Sequence, residues 1–332
     1  MDTRTKEFLD QIITDKHELQ KKMLWEADSN AMATLSAFLF ASKKKSADIE
    51  RYVECKKYFK KNVNIFSELR GIARVIVITK MCLSSDYEEY LSGVMTVYKK
   101  LRSIHKLHAT PYMVLAAVNI YEAGGVEKAD DNIEKFESVY KQMKADHFWL
   151  TGDEDRPFLA MLVSQNIDFD SISNEISACY EACKKMSLSK ETMHTASQIM
   201  SLSDKDIDTK VEDLANTINA LKKYKLRGMK FELMPMAAAL GLINKDPDQK
   251  ASYIKEIYDY LKTQKGFKWY IGGTKRSLYS ILAYALENLD GDNTALNSVI
   301  STTLTNIIIE EIILLIIISS SASTSSGSSS SN

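Results

Sequence analysis

Apolar side chains recur along this chain at intervals of three and four residues, the spacing of helices that each bury one face. Phe8, Leu9, Ile12, Ile13, Leu19 and Met23 make such a stripe in a first helix over about residues 3–24. Ser29 or Asn30 caps a second helix, 32–41, and Lys43-Lys44-Lys45 forms a solvated connector. A third helix opens at Ser46-Ala47-Asp48-Ile49-Glu50 and runs through Tyr58-Phe59-Lys60-Lys61. A fourth spans 65–82, and its stretch Ile72-Ala73-Arg74-Val75-Ile76-Val77-Ile78 is apolar nearly all round, as in a helix covered on several sides.

From there the pattern repeats. Tyr58-Phe59-Lys60-Lys61 is echoed by Tyr98-Lys99-Lys100, Tyr140-Lys141, Tyr180 with Lys184-Lys185, Lys222-Lys223-Tyr224 and Tyr260-Leu261-Lys262, about 40 residues apart. The second helices repeat as well. Pro111 to Ala117, Pro157 to Leu162, Thr192 to Leu202, Phe231 to Leu240 and Ser277 to Leu286 are all apolar segments on the same period. One helix pair cannot hide its apolar face alone, so neighbours stack and share an elongated core. The predicted fold is therefore all-α, an α-α repeat solenoid of about seven helix pairs (1–42, 46–84, 86–123, 128–166, 170–203, 206–244 and 248–287) with a C-terminal closing helix. Tyrosine and lysine at the repeat position need no functional explanation. A tyrosine ring fills a seam, and a lysine lays its stem across one while its charge stays wet.

The same reading gives one helical-repeat domain over 1–318, with 1–45 as an N-terminal cap pair, 46–287 as repeats and 292–318 as the closing helix. The segment from Ile307 to Ile318 is intensely apolar but interrupted by Glu310 and Glu311. It is too short for a membrane span, which needs about 20 apolar residues. A packed helix is expected there. Its β-branched content keeps a strand or an aggregation-prone segment as the competitor, and self-association or a peripheral membrane role as a further reading. The serine-rich tail, 319–332, has nothing to bury and is expected to be disordered.

Composition agrees with the helical reading. The 12 glycines and 4 prolines among 332 residues leave little material for turns, against usual shares of about 7% and 5%. A net charge of −1 gives no reason to expect nucleic acid. The start, Met1 to Glu7, shows no secretory pattern, and four cysteines in a chain of this size point to a reduced, cytoplasmic setting. Cys179 and Cys183 share a helix face but lack partner ligands, so they read as small buried residues rather than a metal site.

Candidate chemistry collects in the turns inside the pairs, which a solenoid places along one edge. The densest is His147 to Leu162, where rings, three consecutive acids, Arg156 and Pro157 meet. Structurally it reads as a capped helix start, with Asp155 accepting backbone N–H groups and the acids suiting the positive helix end. Functionally it reads as one side of a binding site. The candidate binding residues are His147, Trp149, Asp153, Asp155, Arg156, Arg227, Lys230, Trp269, Lys275 and Arg276, a basic and aromatic set suited to a peptide, a protein or a small anionic ligand. Gly272-Gly273-Thr274-Lys275-Arg276 precedes a helix and is a weak anion cradle without the Walker spacing. The chain shows no GxSxG, HExxH, GxGxxG or CxxC pattern, so no catalytic residue, metal ligand or cofactor is assigned. The leading function is a binding or scaffold module. The alternative is a metal-dependent or acid/base enzyme centred on His147 to Arg156.

The segment Phe148-Trp149-Leu150-Thr151-Gly152-Asp153-Glu154-Asp155-Arg156-Pro157-Phe158-Leu159-Ala160 resembles the most recognisable motif of a bacterial family of unknown function, domain-of-unknown-function family four thousand and three. That motif has Leu-Thr-Gly, then acids, then an aromatic-Pro pair and a Leu/Ala-rich helix. Arg156 stands where the family pattern has a more apolar residue. The resemblance covers nearly the whole chain and implies an uncharacterised all-helical protein, with no activity and no catalytic residues to carry over.

Overall fold

The structure, a computed structural model, describes residues 1–23, 29–65, 67–71, 73–104, 110–146, 151–164, 169–186, 189–226, 233–268 and 271–288. Among these residues there are fourteen α-helices, two short 3-10 turns and no strand. The helices fall into the seven pairs that the repeat predicts. They are α1 (Thr3–Lys22) with α2 (Ser29–Ser42), α3 (Ile49–Asn62) with α4 (Arg74–Leu83), and α5 (Tyr87–Ile104) with α6 (Pro111–Glu122). Then come α7 (Ala129–Asp146) with α8 (Arg156–Ser164), α9 (Phe169–Cys183) with α10 (Lys190–Ser201), α11 (Ile207–Lys223) with α12 (Leu233–Gly241), and α13 (Pro247–Thr263) with α14 (Gly272–Asn288). The closing helix expected over 292–318 and the serine-rich tail lie outside the described residues.

The two members of a pair do different work. First helices are amphipathic, and α5 buries Tyr90, Leu91, Val94, Val97, Tyr98 and Leu101 along one face. Second helices are covered on several sides. Every residue from Ala31 to Phe40 is buried in α2, every residue from Val75 to Cys82 in α4, and every residue from Arg276 to Leu286 in α14. The described residues divide into two compact units, one within 18–171 and one of 1–17 with those from 172 to 288. In the first of these, α2 packs on α4 and α6 on α8, with α5 against α6 and α7 against α8. In the second, α12 packs on both α10 and α14, while α11 and α13 cover α12 and α14. Second helices thus form the core of each unit. Each buried Leu, Ile, Val or Phe there contributes about 1.5–3 kcal/mol.

Local signals start the helices where the sequence places them. Asp48, Asp206 and Asp246 accept N–H groups of the first turns of α3, α11 and α13 at 3.0, 2.9 and 2.9 Å. Thr110 and Ser189 cap α6 and α10, and Pro111 and Pro247 occupy first-turn positions that need no N–H. One boundary differs from expectation. The predicted helix over 65–82 gives way to a 3-10 turn, Glu68–Arg70, and α4 begins only at Arg74. Ser67 caps that turn through Leu69 N–H, Gly71 N–H closes it on Glu68 O at 2.8 Å, and Arg70 Nε bonds Val63 O at 3.0 Å. Side-chain bonds to backbone have outcompeted the helix ladder here.

Residues 1–17, read from the sequence as part of a cap pair, pack on the last pair within their unit. Thr5 Oγ1 lies 2.8 Å from Tyr253 OH, which donates to Asp2 Oδ2 at 2.9 Å, and Tyr260 OH donates to Asp10. His17 Nε2 meets Lys265 O at 2.9 Å. Lys16 is 0% exposed, and among the described residues its amine has no hydrogen-bond partner. It stands 5.5 Å from the centre of the Phe267 ring and against Gly266, whose φ of +88° and missing Cβ leave the amine its space. Burial pushes the amine down to about 8, helped by the charge of Lys265.

A depressed amine makes the folded chain bind fewer protons than the unfolded chain between the two pKa values, so this contribution to stability rises with pH across that window. Lys16→Met is expected to stabilise the protein by about 1–3 kcal/mol at pH 7, because it removes a buried charge without a partner. The gain should shrink as pH climbs from about 8 towards the unfolded value of about 10.4. Urea denaturation of both proteins at pH 7 and pH 10 checks this. A variant that is less stable at both would show that the amine has a partner.

Candidate functional site

The turn before α8 is built from its own residues. Thr151 Oγ1 donates to Met143 O at 3.2 Å. Buried Asp155 accepts from Gly152 N–H at 2.7 Å, a bond that runs back along the chain. Asp153 Oδ1 lies 2.9 Å from Arg156 Nη2. The Arg156 guanidinium in turn lies 5.0 Å from the centre of the Tyr140 ring on α7. Burial raises the Tyr140 phenol while the Arg156 charge opposes it. The structure thus brings Asp153 and Arg156 together over a tyrosine and commits Asp155 to the backbone. His147 and Trp149 lie outside the described residues.

The turn before α14 repeats the device. Arg276 is 3% exposed. Its Nε donates to Phe267 O at 2.7 Å, Nη2 to Lys268 O at 2.6 Å and Nη1 to Tyr258 OH at 3.0 Å. Its guanidinium also lies 5.0 Å from the centre of the Tyr258 ring. This arginine is spent on the carbonyls of the turn it follows. Lys275 is half-buried and already in contact with neighbours, while Gly272 and Gly273 are exposed at the start of α14. Arg227, Lys230 and Trp269 lie outside the described residues. In residues 18–171, Arg51 does a related job, bonding Cys82 O at 2.9 Å and Ser84 O at 2.7 Å.

Within residues 18–171 another turn region is open. Where the α3–α4 turn of the second pair meets the end of α5 in the third, a cleft of about 600 Å³ is lined by Val63, Asn64, Ser67, Leu69, Met95, Tyr98, Lys99, Arg102 and Ser103. Such a volume falls in the usual range for small-molecule sites. Met95, Tyr98, Lys99 and Arg102 stand at i, i+3, i+4 and i+7 on α5, so one helix face supplies them. The opposite wall is the 3-10 turn that interrupts the predicted fourth helix, held by Arg70 on Val63 O. Tyr98 is 4% exposed, and among the described residues its hydroxyl makes no hydrogen bond of ordinary geometry, although the Arg102 side chain interacts with it. Burial raises that phenol, and the Arg102 charge pulls the other way. Lys99 and Arg102 are exposed and make no ion pair among the described residues, and no acid lines the cleft. Sequence reading missed this site because it needs the break at Glu68–Arg70. The legible signal was the polar face on α5.

Other chemistry is sparse. Among the described residues, no three His, Cys, Asp or Glu side chains converge to hold a metal ion, and no helix is long and apolar enough to cross a membrane. All four cysteines are free and buried. Burial pushes the Cys179 thiol up to about 12 and raises Cys183, which keeps both from acting as thiolates.

Fold and turns together define an all-helical repeat protein whose arginines staple its turns and whose second and third pairs leave a cleft between them. The chain belongs to the family described as protein of unknown function (DUF4003), whose model matches residues 17–313. It is also similar to the Uncharacterized protein YeaA of Bacillus subtilis (strain 168), at 23% identity over 257 residues that cover 76% of either chain. No solved structure matches it significantly.

Truncating Arg276 would leave a buried carbonyl (Phe267) and a part-buried one (Lys268) without their donors, the buried one alone costing about 1–3 kcal/mol. Arg276→Ala is therefore expected to destabilise the protein by about 2–4 kcal/mol, while Lys275→Ala next to it stays within about 0.5 kcal/mol. Denaturant midpoints of the two variants compare them directly. Equal effects would mean that Arg276 is not the staple.

Proposed function

We propose that this chain is a binding module that holds a ligand at its turn edge, in the cleft between the second and third helix pairs. The observation that carries this is the buried Tyr98 hydroxyl on the wall of a cleft, which among the described residues has only the exposed Arg102 side chain to interact with and no hydrogen bond of ordinary geometry. A buried donor costs free energy unless something pairs with it. The wall opposite is held by the protein itself, because Arg70 ties the 3-10 turn to Val63 O at the end of α3 and Ser67 caps that turn. A cleft that needs no ordering on binding loses little affinity to entropy. The sequence reading placed binding on this edge through a different group of residues. Of those described, Arg156 and Arg276 support the turns, and the α5 face supplies the open polar groups instead.

Methionine-methyl NMR tests the reading. Small amphiphiles with neutral, anionic and cationic heads are titrated into the full chain, with the Met95 resonance assigned through Met95→Leu. At least one head group is expected to move the Met95 methyl and leave Met236, buried in α12, unmoved. No response at Met95 to any of the three would overturn the proposal.

A further inference from the structure

The charges around the cleft say which head group should win. Lys99 and Arg102 are unpaired cations on its rim, and the acid whose charge Tyr98 feels, Glu68, does not line it. A cationic ligand would meet two like charges with nothing to neutralise it. A neutral one would satisfy Tyr98 and take a hydrogen bond from the guanidinium, but without the attraction between opposite charges. An anion uses both. The number of negative charges is limited by the backbone. The cleft lies beside the C-terminal ends of α3 and α5, where unsatisfied carbonyls carry partial negative charge. A dianion such as a phosphate monoester is opposed there, while a monoanion is accommodated by one arginine. The donor types suit a carboxylate: a guanidinium can offer two parallel hydrogens to its planar pair of oxygens, and a phenol one more. Beyond them Val63, Leu69 and Met95 offer only apolar contact.

We propose that the cleft takes a small apolar carboxylate, its oxygens held by Tyr98 and Arg102 and its hydrocarbon part laid along Val63, Leu69 and Met95. Lys99 steers the anion in from the rim. This inference rests on the binding reading given above. The competing account is that Lys99 and Arg102 serve only the C-terminal end of α5, where cations are favourable without any ligand. The two accounts differ in what removing the hydroxyl of Tyr98 does.

Calorimetry and the Met95 methyl signal are read with octanoate, octanol, octyl phosphate and octyltrimethylammonium below their micelle concentrations. Octanoate is expected to bind about tenfold or more tighter than octanol, because hydrogen bonds to a charged group are worth about 1.5–3 kcal/mol. Arg102→Gln should bring octanoate down to the level of octanol. Tyr98→Phe, which keeps the ring and the packing, should weaken octanoate severalfold without lowering the thermal midpoint. If octanol, the phosphate or the ammonium binds as tightly as octanoate while Met95 still responds, the carboxylate assignment falls and the cleft survives. If octanoate binds but neither variant weakens it, the carboxylate assignment also falls. A leucine-terminated tripeptide acid that binds tenfold tighter than octanoate would overturn the small-molecule source. Silence at Met95 with every head group removes the binding reading itself.

Discussion

Each repeat of this chain contains a helix with no side that tolerates water. α2 buries ten consecutive residues and α14 eleven, so covering them from one direction is not enough. A two-helix unit would leave much of that surface wet, at about 25 cal/mol for each Å² left exposed. Stacking second helix on second helix removes it, and the amphipathic first helices then close the remaining side. Repeat period, helix lengths and the paired architecture all follow from that one demand. It also explains why the repeat tolerates variation in charge and in turn length but keeps its apolar spacing.

Packing helices this way creates a second problem at their ends. Every helix leaves carbonyls without donors, and short turns bring those carbonyls close to the core. This protein answers with long cations. Lys250 is buried and donates to Leu240 O at 2.7 Å and Ile243 O at 3.1 Å at the end of α12, and burial there pulls the amine down to about 8. Lys80 reaches Glu122 at 2.7 Å, and Tyr90 donates to the other oxygen of the same carboxylate at 2.7 Å, which joins α4, α5 and α6. Burial alone would raise Glu122, yet Lys80 and Tyr90 hold it below the usual carboxylate range. Arg51, Arg70 and Arg276 do the same with turn carbonyls. A basic, aromatic edge in the sequence is thus in large part the cost of ending helices in short turns.

Against that background, groups left out of such arrangements stand apart. Tyr98 has the ring position of a seam tyrosine but a hydroxyl that makes no hydrogen bond of ordinary geometry among the described residues, and Arg102 one turn later interacts with it and bonds no carbonyl there. Their cleft exists because the fourth helix starts late. Had the helix run on from residue 65, its first turns would occupy the space that the 3-10 turn leaves. A local competition between side-chain and backbone hydrogen bonds at Ser67 and Arg70 therefore produces the opening on this face.

Much of the fold was legible in the residues alone. The 3.6-residue period marks helices, the 40-residue period marks pairs, and aspartate or proline marks their starts at Asp48, Pro111, Asp206 and Pro247. These signals are local, and a helix needs only local bonds to declare itself. The candidate site was far less legible. Arg156 and Arg276 look like ligand-binding groups in a sequence, and only three-dimensional placement shows each stacked on a tyrosine sixteen or eighteen positions earlier. Whether residues 1–17 cap the first pair or pack on the last depends on contacts some 250 residues apart, as between Thr5 and Tyr253, and no periodic pattern encodes them. The sequence by itself determined the helices, their pairing and their buried faces, because these follow from spacing along one chain. Which cations satisfy carbonyls and which remain for a ligand was decided only by the tertiary structure, because that depends on distances between segments that the order of residues does not contain.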